Sequence, residues 1–251
     1  MKKLAILDYG IGGLDIYSRL KKINPNFPIT YFSDSGAVPY GKLDEDSLTL
    51  RLQTVINWLK NTGVEQLVIA CHSASTVAHR LNGIPFINMI AATKETILQN
   101  ASTIQKLGII GGGRTIDSAI YRNYAQELKL DVVDHNAQIF SIMIENDLTH
   151  SAEFNEHLDA VLSPLQRVEG LLLACTHYPL IQEQLRSYFA HEVRILDPID
   201  QMLKIHFKNL DEERYENNTD ILYTTGNNKL TNKLARDLFG LKHYRIEQAK
   251  I

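Results

Sequence analysis

Two apolar runs in this 251-residue chain end in the same way, LVIACHSAS at 67–75 and LLLACTHYP at 171–179. They carry the only two cysteines, Cys71 and Cys175, 104 positions apart (175 minus 71). A single free cysteine is most often a small apolar core residue. Two at matching strand-to-helix turns imply a shared task. The unpaired N–H groups of a helix start favour thiolate and pull a thiol below its reference pKa of about 8.5, which predicts two groups able to act as base or nucleophile near neutral pH. His177 follows Cys175 by two residues, and Asp8 closes the first apolar run, KLAILD. Taken singly, such an Asp or His is as often a cap or a surface group. Four titratable groups gathered at strand ends point to proton transfer.

Parallel strands must position these groups. The β-branched, apolar segments KLAILD, PITYFSD, QLVIAC, IPFINM, KLGIIG, LDVVDH, GLLLAC, VRILD and DILYTT read as strands, and amphipathic helical patterns lie between most of them. This alternation is that of a parallel-sheet α/β protein. The clearest helix is DEDSLTLRLQTVINWLKNTG, with Leu48, Leu52, Val55, Ile56 and Leu59 at helical spacing, acids leading and Gly63 as its stop. The polar stretch 211–220, DEERYENNTD, reads as a solvated loop or frayed helix end. The repeated Ala-Cys segments suggest two pseudo-twofold α/β halves. Ligands of open parallel sheets bind at the carboxyl ends of strands, so each half would offer one thiol to a shared cleft.

Composition narrows the partners. Lys and Arg total 26 against 29 Asp and Glu, which gives no basic face for a nucleic acid and favours a small molecule. The opening MKKLAILDYG is too short an apolar run for a signal peptide, and no later run approaches the ~20 residues of a membrane span, so a cytoplasmic protein is expected. Two thiols in that reducing compartment are expected free, and alone they cannot build a metal site. GIIGGGRT at 108–115 comes close to the phosphate-cradling G-x4-G-K-[ST] pattern, but Arg114 stands where the lysine is needed. A glycine turn whose N–H groups receive a substrate carboxylate, with Thr115 adding a hydroxyl, is the competing reading. LDYGIGG at 7–13 looks like the opening of some glutamine amidotransferase domains.

In order along the chain stand DYGIGG, SDSGAVPYG, ACHSAS, GGGRTIDSAIY and ACTHYPL, closed by YTTGNNKLTNKLARDLFG. Together these resemble the glutamate racemases of the aspartate/glutamate racemase superfamily over nearly the whole chain, with VPYG and CTHYPL the most specific motifs. The resemblance implies an α/β protein of two pseudo-symmetric flavodoxin-like parallel-sheet domains with the active site in the cleft between them. The first domain would be 1–92 plus 206–251, carrying Asp8 and Cys71; the second, 93–205, would carry Thr115 and Cys175. It implies cofactor-independent racemisation by Cys71 and Cys175 on opposite faces of the substrate, assisted by Asp8 and His177, with Asp34 and Glu145 as supporting acids. Pro39, Tyr40, Gly41, Ser73, Thr115 and Thr176 fall at substrate-contacting positions. The implied partner is a small amino acid, with no nucleic acid, membrane, metal or cofactor and with a homodimer as candidate assembly. The implied product, D-glutamate, supplies peptidoglycan synthesis.

The departures bear on substrate choice. Tyr9 stands where the family has the serine of D-S-G, and His72 and Ser73 stand where it has C-N-T. Tyr9 can shrink the pocket, and His72 can replace a hydrogen bond, add a cation or perturb Cys71. NAQIFSIMIE, before the acid matched by Glu145, also lacks the proline-rich family pattern. Three functions follow as alternatives: a glutamate racemase, a related racemase acting on aspartate or another amino acid, and an amino-acid-binding relative without turnover.

Overall fold

The computed structural model describes residues 3–208 and 219–251. Of the polar stretch 211–220, residues 211–218 lie outside the described residues, and Asp220 opens a strand. The strands among the described residues are β1 (Leu4–Asp8), β2 (Ile29–Ser33), β3 (Gln66–Ile69), β4 (Phe86–Asn88), β5 (Lys106–Gly111), β6 (Asp131–Asn136), β7 (Gly170–Ala174), β8 (Arg194–Leu196), β9 (Asp220–Thr224) and β10 (Tyr244–Gln248). The first nine coincide with the expected segments. β10 was not expected, because YRIEQ places charges along a half-exposed sheet edge rather than an apolar run.

Every pairing is parallel, in two sheets of order β10-β9-β2-β1-β3-β4 and β6-β5-β7-β8. The second sheet repeats the β2-β1-β3-β4 order of the first, which is the pseudo-symmetry suggested by the two Ala-Cys runs. β3 lies beside β1 and β7 beside β5, so the cysteines leave equivalent places. The helices Met89–Asn100 and Ile199–His206 carry the chain between the sheets and pack on each other.

Period-two alternation decides which side each strand residue faces. Leu4 and Ile6 join a core that continues into the second sheet through Ile110, Phe140, Leu171 and Leu173. Ala5 and Leu7 face the opposite side, against Leu48, Leu52, Val55, Ile56 and Leu59 of the helix Glu45–Asn61. That helix starts as its sequence demands, with the Asp44 side chain accepting the Ser47 N–H, and stops before Gly63 at φ +84°. No helix among the described residues is long and apolar enough to cross a membrane.

Candidate active site

The carboxyl ends of the two sheets meet at one small pocket. Tyr9, Tyr40, Gly41, Cys71, His72 and Ser73 line it from the first sheet, and Gly112, Gln138, Ser141, Ala174, Cys175, Thr176 and His177 from the second. The space swept by the centre of a water-sized sphere is about 20 Å³, room for about one water. The cleft is therefore narrow.

Cys71 follows β3 after one residue and caps the short helix His72–Thr76 with extended backbone, φ −65° and ψ 127°. Its sulfur faces the backbone N–H groups of Ala74 and Ser73, the arrangement expected to favour thiolate. Burial outweighs them. Loss of hydration first, and the Asp8 carboxylate second, push the Cys71 thiol well above its ordinary value. This corrects the expectation of a depressed pKa at that turn: two amide dipoles do not replace a hydration shell.

Cys175 leaves β7 beside His177, with Sγ 3.6 Å from Nδ1. The other ring nitrogen, Nε2, lies 2.6 Å from Glu145 Oε1, and the same oxygen accepts the Ile11 N–H at 2.6 Å. Burial alone would lower the His177 pKa, but hydrogen bonds to Cys175 and Glu145 and their charges outweigh it and raise it well above 6.5. Asp8 is fully buried. It accepts from the Tyr9 N–H at 2.8 Å, from the Gly13 N–H and from Thr176 Oγ1 at 2.8 Å. Burial raises its pKa; the His177 charge and these hydrogen bonds pull it back part of the way.

Two glycines of DYGIGG, Gly10 and Gly12, serve contact with the opposite half. A Cβ on Gly10 would lie 1.8 Å from Glu145 Oε1, and one on Gly12 would lie 2.5 Å from Thr176 Oγ1 and 2.7 Å from His177 Nδ1. Only a bare backbone lets the loop after β1 press on the histidine.

Further hydrogen bonds cross the seam. Ser73 Oγ and Thr115 Oγ1 are 3.0 Å apart, and His72 Nδ1 and the Tyr121 hydroxyl 2.9 Å. Burial pushes His72 down to about 3, so the cation considered from the sequence is excluded and the ring is a neutral partner across the seam. Tyr9 packs its ring 5.5 Å from that of Tyr40. Burial first, then the Glu145, Asp34 and Cys71 charges, push its hydroxyl up to about 12, so it stays protonated.

Asp8, Glu145 and Thr115 stand behind the pocket wall, joined to it through Thr176, His177 and Ser73. Asp34 does not reach the pocket: Arg51 grips it through Nε at 2.8 Å and Nη2 at 2.5 Å, and Tyr40 and Thr225 donate to it at 2.7 and 2.8 Å. Its place is that of a clamp under Tyr40. Pro39 sets the backbone entering Tyr40–Lys42 and does not line the pocket. Gly112 caps the five-residue helix Gly113–Asp117, where Arg114 pairs with Glu45 at 3.7 Å. Gln138, Ser141, Gly112 and Ala174 line the pocket without having been singled out from sequence; for Gln138 and Ser141 the departure of NAQIFSIMIE from the family pattern was the available signal. Among the described residues no group of three or more His, Cys, Asp or Glu is arranged to hold a metal ion.

Fold and site together define an α/β enzyme with acid and base side chains on both walls of a small-molecule pocket. The chain belongs to the Asp/Glu/Hydantoin racemase family, whose model matches residues 13–204. It is 27% identical over 248 residues to the glutamate racemase of Hydrogenobaculum sp., covering 96% of this chain and 94% of that protein. A glutamate racemase isoform from Bacillus anthracis has the same fold, with TM-score 0.87 and 23% identity over 100% of this chain and 98% of that one. The Francisella tularensis glutamate racemase, solved in complex with D-glutamate, gives TM-score 0.85 and 24% identity over 99% and 97%. The family resemblance carried by VPYG and CTHYPL is borne out.

Proposed function

We propose that this chain interconverts L- and D-glutamate, one thiolate removing the α-hydrogen and the opposite thiol returning a hydrogen to the other face. The observation that carries this reading is that Cys71 and Cys175, from strand ends of different sheets, line the same pocket. In one direction a sulfur anion takes the α-proton and becomes S–H while the second S–H gives up its proton and becomes the anion. The reverse reaction exchanges the roles, so no group is consumed.

The environments differ in a useful way. Cys71 is held protonated by burial and Asp8, which suits it to donate. Cys175 stands beside a histidine whose raised pKa offers a cation to a sulfur anion. Thr176 holds Asp8 from the opposite sheet, and Glu145, on the helix Gln138–Glu145, holds His177 from within the same half. Tyr9, Tyr40, Gly41, His72, Ser73, Thr115 and Thr176 are assigned to the substrate pocket and its support. The two domains in this reading are 1–92 with 206–251, and 93–205. Since the narrow cleft has room for about one water, it must widen to admit glutamate. The D-glutamate formed would serve peptidoglycan synthesis in the cytoplasm.

Incubating the protein with L- and D-amino acids in deuterated water, and reading chirality and deuterium at Cα, tests the function. Glutamate should racemise with deuterium entering at Cα, and Cys71→Ser and Cys175→Ser should each fold yet lose racemisation, because a hydroxyl is too weak an acid to serve as an ionised base at neutral pH. Turnover by either folded variant would sink the two-thiol mechanism. Exchange confined to aspartate would reassign the substrate.

A further inference from the structure

Beyond the thiols and their partners, the helix Gln138–Glu145 brings two polar side chains to the pocket wall, Gln138 and Ser141, three residues apart on one face. Their hydrogen bonds fix the amide. Gln138 Nε2 donates to Ser141 Oγ at 2.7 Å, and the Ser141 hydroxyl donates to the Gln138 backbone carbonyl at 2.9 Å. The single proton of Ser141 is thus committed, so the amide must present its N–H side to Oγ. Oε1 is turned the other way, buried and without a hydrogen-bond partner in the protein. It lies against the seam: a Cβ on Gly41 would stand 1.7 Å from it and one on Gly112 2.7 Å. Glycines of both sheets open the space it occupies and offer it no side-chain donor. The neighbouring polar groups at the seam, Ser73 with Thr115 and Thr176 with Asp8, are paired. A buried acceptor left alone is costly unless a bound molecule satisfies it.

We propose that Gln138 is a substrate-binding residue that accepts a hydrogen bond at Oε1 from an N–H donor of the bound amino acid. This rests on the reading of the pocket as an amino-acid site. Two donors have the required chemistry: the α-ammonium, common to every amino acid, and the carboxamide of a glutamine-like side chain. A carboxylate supplies none and is repelled at that position.

Calorimetric affinities for D-glutamate, L-glutamate and L-glutamine, with KM and kcat for each, are compared in the wild type, Gln138→Met and Gln138→Glu. Methionine keeps the length and removes the acceptor, while glutamate keeps an acceptor. Gln138→Met should weaken binding and raise KM about tenfold, with kcat little changed and Gln138→Glu restoring affinity. Weakening of all three ligands assigns the ammonium; weakening of glutamine alone assigns the carboxamide. Unchanged affinities, or a fall in kcat at constant KM, overturn the proposal. Should Gln138→Met fail to fold by circular dichroism, Ser141→Ala, which releases the amide from its fixed orientation, is read against the same outcomes. Wild type that binds these ligands without exchanging the α-hydrogen defeats the racemase reading alone, and wild type that binds none defeats both.

Discussion

Asp34→Asn separates architecture from chemistry. The Asp34 carboxylate has no exposed surface, and its two oxygens receive donors from Arg51 twice, from Tyr40 and from Thr225. An amide in its place has one acceptor oxygen and turns N–H groups on donors that already point inward. Breaking a buried ion pair by removing one partner costs about 3–5 kcal/mol. Arg51 remains 26% exposed and can recover water, which places the expected loss at the lower end, about 3 kcal/mol. For a chain of this size each kcal/mol shifts Tm by about 2–4 °C, so melting should fall by about 6–12 °C. Calorimetric melting near pH 7 reads the stability, and polarimetric racemisation of glutamate well below the transition reads the activity. The folded variant should retain a kcat close to wild type, with KM raised because Tyr40 has lost its clamp. An unchanged Tm together with a hundredfold fall in kcat, the scale of a lost proton-transfer group, would refute the assignment and return Asp34 to the chemistry.

The raised His177 pKa implies a pH dependence of definite sign: its stabilising contribution is complete below the unfolded value of about 6.5 and is lost as pH rises through the folded value. Buried Asp8, also raised, acts in the same direction from its lower starting point. Urea unfolding over a pH series should show stability falling above about pH 6.5, and Glu145→Gln should flatten that fall by removing one of the charges that hold the imidazolium; parallel curves would count against the His177–Glu145 pair. Gly12→Ala places a Cβ 2.8 Å from the His177 backbone nitrogen, so it should cost about 1–3 kcal/mol and sharply reduce turnover by displacing His177 from Cys175. Gly63→Ala, at φ +84° in open space, should cost about 1–2 kcal/mol and leave turnover intact; equal turnover in the two variants would contradict the role given to the glycine loop.

Strands were legible because both faces of a buried parallel sheet are apolar, and nine such runs stand out between helical patterns. β10 escaped because an edge strand keeps charges on its open side. The pairing of the thiols was legible from the repeated Ala-Cys segments, since equivalent strands place their ends equivalently. Interactions built from distant residues were hidden. Thr225 reaches Asp34 from 191 residues away, and Glu145 reaches Ile11 from 134. The direction of the Cys71 shift was misread for a related reason: a helix start is a local feature visible in sequence, whereas desolvation depends on everything packed around the sulfur. Gln138 lacked any motif of its own and showed only as a place where an expected pattern was missing.

The interleaving of the first sheet has a consequence for the chain as it is made. β5 to β8 come from one continuous stretch, so every partner in the second sheet is at hand once residue 196 has been made. β2 differs, because its outer edge pairs with β9, which begins 187 residues after β2 ends (220 minus 33). At ribosomal rates of about 5–20 residues per second, the backbone of Ile29–Ser33 waits roughly 10–40 s for that partner. Throughout that interval ITYFS can offer a bare edge to other growing chains. The topology that completes the first sheet in the finished molecule thus exposes the nascent one to mispairing.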